Sequence, residues 1–188
     1  MEENSILNLI LFIIFLGLTA FFVAAEFAVV KVRKSRLDQL IVEGNKKAIT
    51  AKKVASNLDY YLSACQLGIT VTALGLGTFT KPYVKQLFYP IFEWLNTPES
   101  VVTALSYGIA LAIVSYFHVV VGEMAPKTLA IQFSEKVTLL LAPPLYWFGK
   151  LMYPFIQALN GTSRILLRII GVKSASEEQA YSEEELKI

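Results

Sequence analysis

Residues 4–25 read NSILNLILFIIFLGLTAFFVAA, a run with no ionisable side chain. A helix rises 1.5 Å per residue, so about 20 such residues cross a hydrocarbon core about 30 Å thick. Glu2 and Glu3 stand before the run where a signal peptide carries basic residues. The run is also too long for a signal-peptide core and offers no small-residue cleavage pattern, so it reads as a retained membrane helix. Working outward, residues 60–80 hold no charge and residues 100–122 hold only His118. Each is again long enough to span.

Residues 137–172 are apolar but interrupted by Pro143, Pro144, Lys150, Pro154, Asn160, Gly161, Arg164 and Arg168, which leaves charge-free pieces of 13 residues. Pieces that short lie along a membrane surface more readily than they cross it. Tyr146, Trp147, Phe148, Tyr153 and Phe155 beside Lys150 fit such a kinked belt, the alternative being a broken fourth span. The expected fold class is an all-α integral membrane protein. It has three transmembrane helices, over about 4–30, 58–80 and 100–122, and an amphipathic cytoplasmic belt helix over about 135–172.

Composition agrees. Hydrophobic residues make up 55% of the 188 and charged ones 17%, against roughly a quarter charged in soluble domains. A net charge of +2 gives no basic face for nucleic acid. One cysteine, Cys65, and one histidine, His118, exclude an internal disulfide and a Cys/His zinc cluster.

Between the first and second runs lie Lys31, Arg33, Lys34, Arg36, Lys46, Lys47, Lys52 and Lys53; before the third lie only Lys81 and Lys85. The positive-inside rule makes the first connection cytoplasmic, the N-terminus external and the C-terminus cytoplasmic. Within that connection Leu37, Leu40, Ile41, Ala48, Ile49, Ala51 and Val54 recur at helical spacing, with Gly44 dividing them into two short helices. Outside, Tyr83, Leu87, Phe88, Phe92 and Trp94 read as interface anchors. Residues 174–188 hold five glutamates and almost no core-forming side chains. Residues 1–173 therefore read as one membrane domain. The tail reads as the acidic start of a truncated cytoplasmic region, with Ser182 and Glu185 placed as a helix-capping pair.

Chemistry is sought among polar groups in apolar runs. Glu26 stands near the inner end of the first span, and Glu123 closes the third within Gly122-Glu123-Met124-Ala125-Pro126-Lys127. A carboxylate in lipid is costly, so its presence marks a functional site unless it sits among headgroups or pairs with a base such as Lys127. Pro126 removes an N–H donor beside Glu123 and loosens the helical hydrogen bonding there. Asp59, Ser63, Gln66 and Thr70 share one face of the second span. Ser115, His118 and Gly122 form a similar stripe on the third. Such stripes serve as interhelical hydrogen-bond glue or, joined to a carboxylate, as an oxygen-lined ion path. Oxygen donors without clustered Cys or His favour a hard cation, Mg2+, Ca2+ or Na+. Gly68, Gly75 and Gly77 would let helix backbones approach closely, either for packing or to expose carbonyls.

The order Phe22-Val23-Ala24-Ala25-Glu26-Phe27-Ala28, Ser63-Ala64-Cys65-Gln66-Leu67-Gly68-Ile69-Thr70 and Gly122-Glu123-Met124-Ala125-Pro126-Lys127 resembles the membrane domain of the cyclin M / CorC (hemolysin C-like) magnesium transporters, over residues 1 to about 175. The resemblance implies a multi-pass plasma-membrane homodimer of three-span protomers that exports Mg2+ coupled to Na+ entry, with CBS-type cytoplasmic modules following Ile188. Ala25, Ile69 and Ala73 stand where magnesium-binding relatives commonly carry serine or asparagine. The candidate metal ligands are then Glu123 as the chief carboxylate, Ser63, Gln66 and Thr70 as neutral oxygens, and Glu26 as a gating or supporting group. A membrane anchor that positions regulatory modules without transport is the alternative. A pore-forming role lacks a ring of charge, and no catalytic constellation supports an enzyme.

Overall fold

The computed structural model describes residues 2–94 and 99–171. Its elements are α1 (Glu2–Lys31), α2 (Lys34–Val42), α3 (Lys46–Ser56), α4 (Leu58–Trp94), α5 (Glu99–Phe117), a π-helical turn (His118–Met124), α6 (Ala125–Gln132), α7 (Ser134–Leu151) and α8 (Tyr153–Ile170). The acidic residues 174–188, and the side chains of the aromatics between 83 and 95, lie outside what is described.

Among the described residues two helical stretches are long and apolar enough to cross a membrane, Ile6–Lys31 and Tyr107–Gln132. The second extends past residue 122 through the π turn into α6, so Glu123 and Lys127 fall inside an apolar stretch that the sequence expectation had them terminate. A similar difference affects α4. The uncharged run ends at Thr80, yet the helix continues through Lys81 and Pro82 to Trp94. Proline withdraws one donor, whereas ending the helix would leave its last four carbonyls to find other partners, so continuation is the cheaper course.

The basic connection folds as two short helices. Gly44 lies between them at φ +87°, a left-handed conformation that suits glycine, and Asn45 caps α3 by accepting a hydrogen bond from the Lys47 N–H at 3.0 Å. Leu37 and Leu40 of α2 and Ala48, Ala51, Val54 and Ala55 of α3 are buried. Lys52 pairs with Asp38 across the two helices. Arg36 Nε donates to Glu135 at 3.1 Å, tying α2 to the first turn of α7. That hydrogen bond and the charge behind it raise the guanidinium above its ordinary pKa.

The belt region is two helices. Pro143 and Pro144 lie inside α7 without ending it; the break comes at Met152, just before Pro154 in the first turn of α8, where a missing N–H costs no helical bond. α1 packs against α4, α6, α7 and the π turn. The core gathers towards the end of α1 that meets the basic connection, around Phe22, Ala25, Val29, Leu37, Val54, Ala64, Leu145 and Ile156. Gly68 is needed there, because a Cβ on it would lie 2.6 Å from the ring of Phe22. Gly75 faces Phe15 in the same way, whereas a Cβ on Gly77 would meet nothing within 4 Å. Two of the three glycines thus serve helix packing. Deeper along the same contact Thr19 donates to Thr72 at 2.9 Å, both residues buried.

Candidate ion site at the π turn

Glu26 lies on α1 between Ala25, fully buried in the core, and Phe27. Helical geometry turns its side chain away from Ala25, and it remains half-buried. Glu123 is exposed on the π turn, the element that packs against α1. No ion pair engages either of them among the described residues. Lys127, the obvious candidate to neutralise them, places its Nζ over the ring of Phe27, 4.6 Å from the centroid.

The π turn sets this geometry. The Ala125 N–H donates to the carbonyl of Val120, one residue further back than in an α-helix. Pro126 follows, buried in the first turn of α6 and without an N–H to give. Gly122 lets the turn press against α1, since a Cβ there would come 3.3 Å from Leu16 and 3.5 Å from Thr19. His118 Nε2 is buried beside this contact with no hydrogen-bond partner among the described residues.

The second-span candidates are placed elsewhere. Ser63 Oγ lies 2.6 Å from Asn160 Oδ1 of α8 and 3.0 Å from the carbonyl of Asp59. Gln66 is exposed, and Thr70, also exposed, donates to the Gln66 carbonyl at 2.8 Å. The face of α4 turned into the protomer is instead Tyr61, Ala64, Cys65, Gly68, Thr72 and Leu76. The fold therefore places Glu26 and Glu123 on two elements that pack together and leaves Gln66 and Thr70 on an outward face, with Ser63 joined to the belt. Among the described residues no three His, Cys, Asp or Glu side chains gather as a metal cage. The pair can hold a hard cation only with help from neutral oxygens, backbone carbonyls or waters, the manner in which Mg2+ is commonly bound.

Sequence reasoning missed the buried Thr19–Thr72 hydrogen bond and the partnership of Ser63 with Asn160. Two threonines in apolar runs were the available signal for the first. Asn160 was legible only as an interruption of the belt.

Comparison with known proteins adds a family. A family described as "Cyclin M transmembrane N-terminal domain" matches residues 10–188. "UPF0053 protein YhdP" of Bacillus subtilis is 52% identical over 185 residues, covering 98% of this chain and 42% of the relative. "UPF0053 protein YrkA" of the same organism is 54% identical over 183 residues, 97% of this chain and 42% of the relative. "Uncharacterized protein Rv1841c" of Mycobacterium tuberculosis is 36% identical over 168 residues, 89% of this chain and 48% of the relative. The chain thus spans less than half the length of these relatives.

Proposed function

Because the chain belongs to the cyclin M transmembrane N-terminal domain family, we propose that it is the membrane part of a divalent-cation transporter that exports Mg2+ in exchange for Na+. The observation that carries this reading is the pair Glu26 and Glu123, two carboxylates in apolar stretches on elements that pack together, neither of them in an ion pair among the described residues. Two unpaired carboxylates beside lipid are expensive to maintain, and a bound cation relieves that cost.

On this reading α1, the first part of α4, and α5 with α6 are the three crossings. The N-terminus is outside and the C-terminus cytoplasmic, in the plasma membrane. Residues 1–173 form the transporter domain, α7 and α8 lie along the inner surface as the belt, and residues 174–188 lead towards CBS-type modules. Glu123 is the principal ligand and Glu26 the gating carboxylate. Gln66 and Thr70 contribute neutral oxygens from an outward face, which a second protomer would have to cover, and Ser63 contributes one from beside the belt, where it meets Asn160. The exposure of Gln66 and Thr70 therefore supports a homodimer in which the ion path is completed between protomers.

The test is thermal unfolding of the protein in detergent, titrated with MgCl2. A ligand at about 100 times its dissociation constant stabilises the folded state by about 2.7 kcal/mol. Wild type should gain protection that saturates. Glu123→Gln keeps the side-chain shape and loses the charge, so it should unfold at nearly the wild-type temperature without Mg2+ and gain little with it. Protection lost in Glu26→Gln but kept in Glu123→Gln would reverse the two roles.

A further inference from the structure

A second polar site lies apart from the carboxylate pair, where the start of α4 meets the end of α7 and the beginning of α8. A cavity of about 450 Å³ opens there, within the span of about 300–1,000 Å³ common to small-molecule sites. Its floor is Tyr61, which is buried; Asn57, Tyr146, Lys150, Tyr153 and Gln157 rise from it towards the surface. The hydroxyl of Tyr60, also on the wall, is committed to the carbonyl of Gly149 at 2.6 Å, which fixes α4 to α7 across the cavity.

The lining is chemically one-sided. Every side chain on it can donate a hydrogen bond, one carries a positive charge, and none is a carboxylate. Lys150 forms no ion pair among the described residues; its Nζ rests 5.2 Å from the centroid of the Trp147 ring. A concave cluster of phenol, amide and ammonium donors selects an oxyanion, and a phosphate most readily of all. The neighbouring positions on α7 and α8 add a second requirement. Trp147 and Leu151, flanking Lys150 on α7, are 65% and 72% exposed, and Phe155 on α8 is exposed as well. Large apolar side chains next to a lining lysine in a membrane protein suit acyl chains, and basic cavities between membrane helices on the cytoplasmic side take anionic headgroups.

We propose that this cavity binds the phosphate of an anionic phospholipid, Lys150 and the Tyr146, Tyr153 and Gln157 side chains holding the headgroup while the acyl chains lie along Trp147 and Leu151. The site is distinct from the proposed ion path, and only its placement at the inner leaflet rests on the topology proposed above. Occupancy would join the start of α4 to both belt helices, making the inner-leaflet composition a determinant of how firmly the belt is held.

The experiment is thermal unfolding of the full chain in neutral detergent with three additions at matched ionic strength: phosphatidylglycerol, phosphatidylcholine and inorganic phosphate. Phosphatidylglycerol should raise the midpoint in a saturable way and the other two should not. Lys150→Gln should weaken the apparent affinity for phosphatidylglycerol about tenfold, as expected for loss of a charge-assisted hydrogen bond. Lys46→Gln, on α3 and outside the lining, should leave it unchanged. Tyr146→Phe removes a single hydroxyl and should weaken it by a smaller factor, and it decides the matter if Lys150→Gln does not fold. Equal protection by inorganic phosphate would overturn the lipid assignment. Wild-type affinity in Lys150→Gln, or in Tyr146→Phe where that variant decides, would overturn the site.

Discussion

Gly68 and Gly77 sit on the same helix with opposite surroundings, and a substitution at each should show it. Gly68→Val drives methyl groups into the ring of Phe22, itself buried, and should destabilise by about 1–3 kcal/mol as overpacked cores do. Gly77→Ala meets no neighbour and should stabilise the helix by up to about 1 kcal/mol. Thermal unfolding in detergent measures both. At Thr19, replacement by valine removes the buried donor to Thr72, whose own hydroxyl keeps the carbonyls of Gly68 and Ile69 within reach. The expected loss is about 1 kcal/mol, in line with interhelical hydrogen bonds in membranes. The role of Gly68 was legible in the sequence because small residues in an apolar helix mark close approach. The partner of Thr72 was not, since a side chain 53 positions away belongs to another helix and leaves no trace in the periodicity of its own. The same reasoning separates the candidate ligands. Glu26 and Glu123 declared themselves as charges in apolar runs. The spacing of Ser63, Gln66 and Thr70 fixed a shared face, and spacing alone is silent about what that face meets.

At the scale of elements, charge and glycine carried the reading of the connection between α1 and α4, and Gly44 divides it as the sequence expects. The π turn was not legible. Pro126 signalled disturbed hydrogen bonding, but one extra residue accommodated in a single turn shifts an apolar stripe too little to be read from seven positions. The continuation of α4 past Thr80 was missed because the end of an uncharged run marks where apolar character stops and says nothing of where the helix does. The proposed topology makes a direct prediction about these elements. A cysteine introduced at Gly44 should resist an impermeant thiol reagent applied to intact cells, and one at Pro98 should react. The native Cys65 is buried and should contribute little background. Labelling at Gly44 and protection at Pro98 would invert the three-span arrangement.

For the whole molecule, a protomer with the three crossings proposed would have too few walls to enclose a site that opens to each side in turn. On the proposed reading, the outward polar face of α4 and the exposed Tyr107, Leu111 and Tyr116 of α5 would face a second copy. A two-fold homodimer is expected, with small and apolar residues of α4 and α5 at the contact. Its detergent-corrected mass should be that of two protomers under conditions where transport persists; a single-protomer mass there would contradict it. The membrane class and the family motifs could be read from one chain. The partner surface could not, because the exposed apolar side chains of a membrane helix look the same whether they meet lipid or protein. The central claim, that the carboxylate pair serves Mg2+ movement coupled to Na+, is tested most directly by Mg2+ flux into and out of proteoliposomes holding the full-length protein, with a Na+ gradient imposed and then reversed. The account predicts flux that runs against the Na+ gradient, reverses with it and falls to background in Glu123→Gln. Absence of flux under either gradient, or flux of wild-type size in Glu123→Gln, would contradict it.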